Sequence, residues 1–131
     1  MKNKIVLILI SLFLLYFSAK AATPLDPSAT AYPTTFSVYL AQSREVLVHV
    51  TPYDDSSYMI EGLSFEIEGD TIAVPVVSGL LSGMWKTFTV YGAREGKYEI
   101  TIIIKGYQKE IRTGLRTNFA IKVKLTVTVE Y

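Results

Sequence analysis

From Phe119 to Val129 every second residue is apolar: Phe119, Ile121, Val123, Leu125, Val127 and Val129 alternate with Ala120, Lys122, Lys124, Thr126 and Thr128. A period of two sends successive side chains to opposite faces of a sheet, one toward a core and one toward water. A helix would scatter the same residues around its circumference. The segment therefore predicts a long, one-sided β-strand, and any fold must supply a second layer for its apolar face.

The rest of the chain repeats the signal in shorter form. Phe36–Leu40 alternates briefly. Val46, Val48 and Val50 share a face and stop at Pro52, and Asp54-Asp55-Ser56-Ser57 is a turn by composition. Leu63, Phe65 and Ile67 alternate with Ser64, Glu66 and Glu68, before a break at Gly69-Asp70. Ile72, Val74 and Val76 predict a fourth strand, which Pro75 assigns to a sheet edge because it lacks an amide donor. Ser78–Gly83 reads as a flexible loop. Trp85–Tyr91 is a fifth strand, and Gly92 to Gly96 is a breaker. Tyr98, Ile100, Ile102 and Ile104 mark a sixth strand, and the segment ending in Val129 is the seventh. Outside the first 22 residues no comparable window shows a helical period. Seven short strands separated by turn residues predict an all-β, antiparallel β-sandwich.

The N-terminus has a different character. Lys2 and Lys4 precede a 13-residue apolar run, Ile5 to Phe17, and Ala19 and Ala21 frame an A-x-A exit. A basic start, a short apolar run and small residues at the exit describe a secretory signal peptide, residues 1–21. The run is shorter than the roughly 20 apolar residues a membrane-spanning helix needs, so cleavage after Ala21 is expected rather than a retained anchor. Residues 22–35, with Pro24, Pro27 and Pro33, predict a proline-rich extended arm. Residues 36–131 form the sandwich.

Removing 21 of the 131 residues leaves 110, enough for one core. The leader takes Lys2, Lys4 and Lys20 with it, so 13 basic and 12 acidic residues become 10 and 12, a formal charge of −2. No general basic field remains to draw nucleic acid. There is no cysteine, so an exported domain of this sequence must hold by packing alone. Thiol catalysis and thiolate metal sites are excluded for the same reason.

Gly96-Lys97-Tyr98-Glu99-Ile100 resembles the start of strand F in immunoglobulin-like domains. There a tyrosine two residues before an inward position folds its hydroxyl back onto the preceding loop. The resemblance implies a tyrosine-corner role for Tyr98 and puts Ile100 where antibody domains carry a cysteine. The succession W-x-x-F-x-V, G-x-Y-x-I-x-I and a long final strand is similar to the Ig-like modules of archaeal and bacterial exported surface proteins, the CARDB-like group. It implies a non-catalytic module that acts by contact.

Four sets of residues are candidates for function. His49 is the sole histidine and has no second imidazole or thiolate to share a metal or a triad, so it reads as structural. Glu61, Glu66, Glu68 and Asp70 are the densest acidic stretch, but the spacing of a calcium loop is absent and the alternation is that of a solvated sheet face. Lys105, Tyr107, Lys109, Arg112 and Arg116 crowd the connection Gly106–Thr117, a partner-binding loop suited to a protein or an anionic surface polymer. Leu80 and Leu81, flanked by glycine and serine, are an apolar loop tip.

These readings converge on an exported, contact-making module, secreted or held at the cell surface, with an adhesive or structural role. No catalytic set, metal or cofactor is expected, and membrane association would come only through an uncleaved N-terminal segment. A second reading is a homo-oligomeric surface filament joined by β-strand addition through the arm at residues 22–35.

Overall fold

The computed structural model describes residues 26–131; the predicted signal peptide lies outside them. The described chain is all-β, with eight strands and no helix: β1 (Ser28–Tyr32), β2 (Thr35–Tyr39), β3 (Ser43–Thr51), β4 (Tyr58–Gly69), β5 (Val76–Ser82), β6 (Trp85–Tyr91), β7 (Gly96–Glu110) and β8 (Arg116–Glu130). They form two four-stranded sheets, ordered β1-β3-β6-β5 and β2-β8-β7-β4. With β1 and β2 as two halves of one first strand, this is the A-B-E-D and G-F-C arrangement of immunoglobulin-like sandwiches.

The count of eight rather than seven has a local cause. Pro33 offers no ladder amide, so the first strand breaks there and its halves go to different sheets. β1 pairs antiparallel with β3, and β2 pairs parallel with β8, the one departure from an antiparallel arrangement. Residues 28–32, assigned by sequence to an extended arm, are thus a strand of the sandwich itself.

The fourth predicted strand is also displaced. Residues 71–75 form a turn and bend, leaving Ile72 exposed, and the edge strand β5 runs through the segment expected to be a loop. Gly79 makes this possible, because a Cβ there would collide with Thr87 of β6. The ladder shifts register between Ser78 and Leu81, a bulge held by Lys86 Nζ donating to the Gly79 carbonyl at 2.7 Å. The hairpin closes through Gly83 at φ +60°.

The core lies where the two alternating faces meet. Val46, Val48 and Val50 of β3 and Phe88 and Val90 of β6 face Ile100, Ile102 and Ile104 of β7 and Leu125, Val127 and Val129 of β8. All are at most 1% exposed. Phe65 of β4 meets Phe88 edge-on at 5.6 Å between ring centres, joining the sheets at their middle. Each such fully buried side chain contributes ~1.5–3 kcal/mol of burial free energy. That is how a sandwich without a disulfide holds together.

Candidate functional site

The charged residues expected in one loop lie mostly on strands. β7 continues to Glu110 and β8 begins at Arg116, so the connection is only residues 111–115. Gly106, taken from sequence as the start of the connection, stays in the ladder opposite Phe119. Its missing side chain admits the Phe119 ring, which would stand 3.1 Å from a Cβ placed there. Lys105, Tyr107 and Lys109 therefore project from β7, Arg116 from the first position of β8, and Arg112 alone sits on the turn.

Glu61 of β4 organises this cluster. Its Oε1 lies 3.7 Å from Lys109 Nζ and its Oε2 lies 3.6 Å from an Arg116 guanidinium nitrogen. Arg116 also covers the Tyr107 ring at 4.9 Å from its centre. Tyr107 in turn packs against Gly62, where a Cβ would be 2.7 Å from its ring. Gly62 adopts φ +65° at the bulge that shifts register between Glu61 and Ser64. Lys105 pairs with Glu66 at 3.3 Å. Sequence reading found the cations and, separately, Glu61 and Glu66 as part of a solvated acidic face, but not that the two sets meet. A glycine inside an alternating strand was the available signal for the bulge.

The electrostatic consequence is a muted patch. Four cations, Lys105, Lys109, Arg112 and Arg116, share the region with Glu61, Glu66 and Glu110, and three of the four have a carboxylate partner. Among the described residues no ion pair is recorded for Arg112. It borders an open groove of about 730 Å³ at this end of the sandwich, between the turn after β3 and the β7–β8 turn. Tyr53, Tyr58 and Ile111 supply its apolar wall. Asp54 shapes the opposite rim. Its Oδ1 accepts the Ser56 hydroxyl at 2.9 Å and the Ser56 amide at 3.1 Å, and its Oδ2 accepts the Ser57 hydroxyl at 3.1 Å. These bonds, the Ser56 hydroxyl first, hold the carboxyl below its ordinary pKa by favouring the ionised form.

Leu80 and Leu81 are on the edge strand β5 rather than a loop tip. Leu80 is 85% exposed and Leu81 45% exposed, so neither folds down as a lid on the core. His49 faces outward from β3 directly opposite Trp85 of β6, and the two rings stack at 3.9 Å with planes 13° apart. Tyr98, half-buried, turns its hydroxyl back to donate to the Glu95 carbonyl at 2.7 Å. Among the described residues no group of three or more acidic or histidine side chains converges, and no helix is long and apolar enough to cross a membrane.

The chain is similar in fold to the crystal structure of domains 4 and 5 of the S-layer protein SbsC. The TM-score is 0.57 at 20% sequence identity, over 81% of this chain and 54% of that one. The chain thus spans about half the length of that structure. No family model matches the chain, and no curated protein matches it.

Proposed function

We propose that this protein is an exported β-sandwich module that acts by contact at the cell surface or envelope, as a structural or adhesive unit without catalytic activity. The observation that carries this reading is the likeness of its fold to domains of an S-layer protein. The leader-like N-terminus and the absence of cysteine fit an exported chain that relies on packing. The cluster around Glu61 favours a protein partner over a strongly anionic polymer, because its cations are already largely paired. The groove beside Arg112, Tyr53 and Ile111 is its recognition surface.

The test is made on intact cells. Protease added outside should degrade the protein while a cytoplasmic marker survives, and the mature chain should begin near Ala22. Protection from the protease would defeat the surface reading. Changing Lys109, Arg112 and Arg116 together to Ala should release the protein from its surface partner. Unchanged attachment would show that this end of the sandwich is not the contact.

A self-assembling subunit is the second reading, and a specific observation favours it: the β2-β8-β7-β4 sheet has two open edges. The donor proposed from sequence needs revision, since Ser28–Tyr32 already pairs with β3 of its own chain.

A further inference from the structure

The edge of β8 is only half hydrogen-bonded, with buried Pro27 and β1 passing beside its unpaired half. β2 pairs with Thr126–Glu130 alone, although β8 starts at Arg116. The Thr126 amide donates toward this edge, to the Thr34 carbonyl. Strand alternation therefore directs the backbone groups of Asn118, Ala120, Lys122 and Lys124 to the same side. Among the described residues none of these groups has a recorded backbone partner across that edge. A groove of about 490 Å³ runs along it, between Asp26-Pro27 and Asn118–Lys122. On the far side of the sheet, β4 presents a second open edge, up to 12 residues long.

The two edges are complementary in charge. Side chains on the water face of the open part of β8 are Arg116, Asn118, Ala120, Lys122 and Lys124, with no acid among them. Those of β4 beyond its bulge are Ser64, Glu66 and Glu68, with no base. Two β8 edges brought together would oppose lysines and arginine, a common device against self-pairing. A β8 edge meeting a β4 edge would pair opposite signs. Among the described residues Lys122 and Glu68 have no ion pair within their own chain, while Lys124 and Glu66 would share theirs with Glu99 and Lys105.

Direction and length agree as well. β4 and β8 both run antiparallel to β7, so they run the same way, and a copy shifted along the sheet presents β4 parallel to the next copy's β8. We propose that the unpaired edge of β8 receives β4 of a second copy of this chain, extending the sheet head to tail. The register that sets Ser64 beside Ala120 sets Glu66 beside Lys122 and Glu68 beside Lys124. On the inner face it sets Phe65 beside Ile121 and Ile67 beside Val123, four half-buried side chains at the margin of the core. Gly69 then meets Leu125, and the incoming strand ends where β2 begins at Thr126. The contact uses different surfaces on its two partners, so it does not close on itself and propagates as a filament or sheet.

The inference rests on the reading of the chain as a surface building unit, and it is tested separately from it. With no native cysteine, Ser64→Cys/Ala120→Cys in the full-length protein reports the register directly. Inside one chain β7 stands between these positions, roughly 9–10 Å of strand spacing, too far for a disulfide. The double variant should give a ladder of disulfide-linked multimers, whereas each single variant, whose cysteine would face Ala120 or Ser64 of the next copy, should give nothing beyond a nonspecific dimer. Lys122→Glu/Lys124→Glu should lower the assembled fraction about tenfold at fixed concentration, the effect of two cross-strand pairs turned repulsive. Glu66→Lys/Glu68→Lys should do the same, and mixing the two double variants should restore assembly in alternation. Circular dichroism on each variant checks that the sandwich is intact.

A folded cysteine variant that forms no ladder overturns the inference, as does charge reversal without effect. A ladder that appears only after residues before Asp26 are removed also overturns it, because the chain's own N-terminal segment would then fill the edge. A surface-exposed protein that fails these tests keeps the contact reading and loses only this joint.

Discussion

Tyr98 and Gly96 make one device. The hydroxyl of Tyr98 satisfies the Glu95 carbonyl, and its ring lies where a Gly96 side chain would stand, with the Tyr98 oxygen 2.8 Å from a Cβ placed there. Gly96 also holds φ +140°, a region that other residues enter only under strain. Tyr98→Phe should cost ~1 kcal/mol, the net value of one hydrogen bond. Gly96→Ala should cost more, ~2–3 kcal/mol, because it adds a clash to a strained backbone. Thermal melts of both variants give the order; a Gly96→Ala melt at or above that of Tyr98→Phe would contradict this account. Asp54 predicts a pH dependence. Its folded pKa is lowered, so its contribution is fully present above the ordinary carboxylate value and fades as pH falls through the lowered one. The gap in melting temperature between the native protein and Asp54→Ala should therefore shrink as pH drops from neutrality below the ordinary aspartate range. A gap constant with pH would mean that ionisation of Asp54 does not hold the turn.

Between strands, Gln108 is the latch. It is the buried polar side chain of the described core, 4% exposed, and its Oε1 accepts the Tyr53 amide at 2.7 Å. This ties the turn after β3 to β7 and so shapes one wall of the groove. Gln108→Ala would leave a donor without its partner, at a cost of ~1–3 kcal/mol. Hydrogen exchange at the Tyr53 amide should rise in that variant while the exchange of β7 stays slow. Elements were legible in the sequence to the extent that their residues alternated. β3, β4, β6 and β8 emerge where Val46-Val48-Val50, Leu63-Phe65-Ile67, Trp85–Tyr91 and Phe119–Val129 predict them. The misses sit at glycines and prolines. Gly79, read as part of a flexible loop, and Gly106, read as the start of the last connection, mark places where a neighbour's side chain occupies the missing Cβ, which one strand's sequence does not reveal.

For the whole molecule, stability rests on contact between two sheets rather than on covalent ties. Phe88, fully buried against Phe65, is the clearest test. Phe88→Ala should cost ~3–5 kcal/mol, a large share of the ~5–15 kcal/mol typical of a domain. Urea unfolding should show a lower midpoint with an unchanged slope, since the surface exposed on unfolding is nearly the same. A loss below ~1 kcal/mol would place the load elsewhere in the core. The outer faces differ in kind. The β2-β8-β7-β4 sheet is laced with ion pairs, Lys105–Glu66, Lys109–Glu61, Arg116–Glu61 and Lys124–Glu99, whereas the other sheet shows Tyr32, Leu47 and the His49–Trp85 stack to solvent.

By itself the sequence determined the class of the fold, because a period of two admits only a sheet, and a one-sided sheet requires a second layer. It also determined that the layers hold without disulfides, and it placed the tyrosine of the corner. Which strands became neighbours was decided only in three dimensions. Pairing partners are chosen by the summed fit of both faces, so Pro33 marks a break but not that its two sides join different sheets, and the meeting of Glu61 with Lys109 and Arg116 left no trace in local pattern. The half-paired edge of β8 follows from the same cause: β2 is five residues long and β8 fifteen, and only their pairing shows which backbone groups stay open.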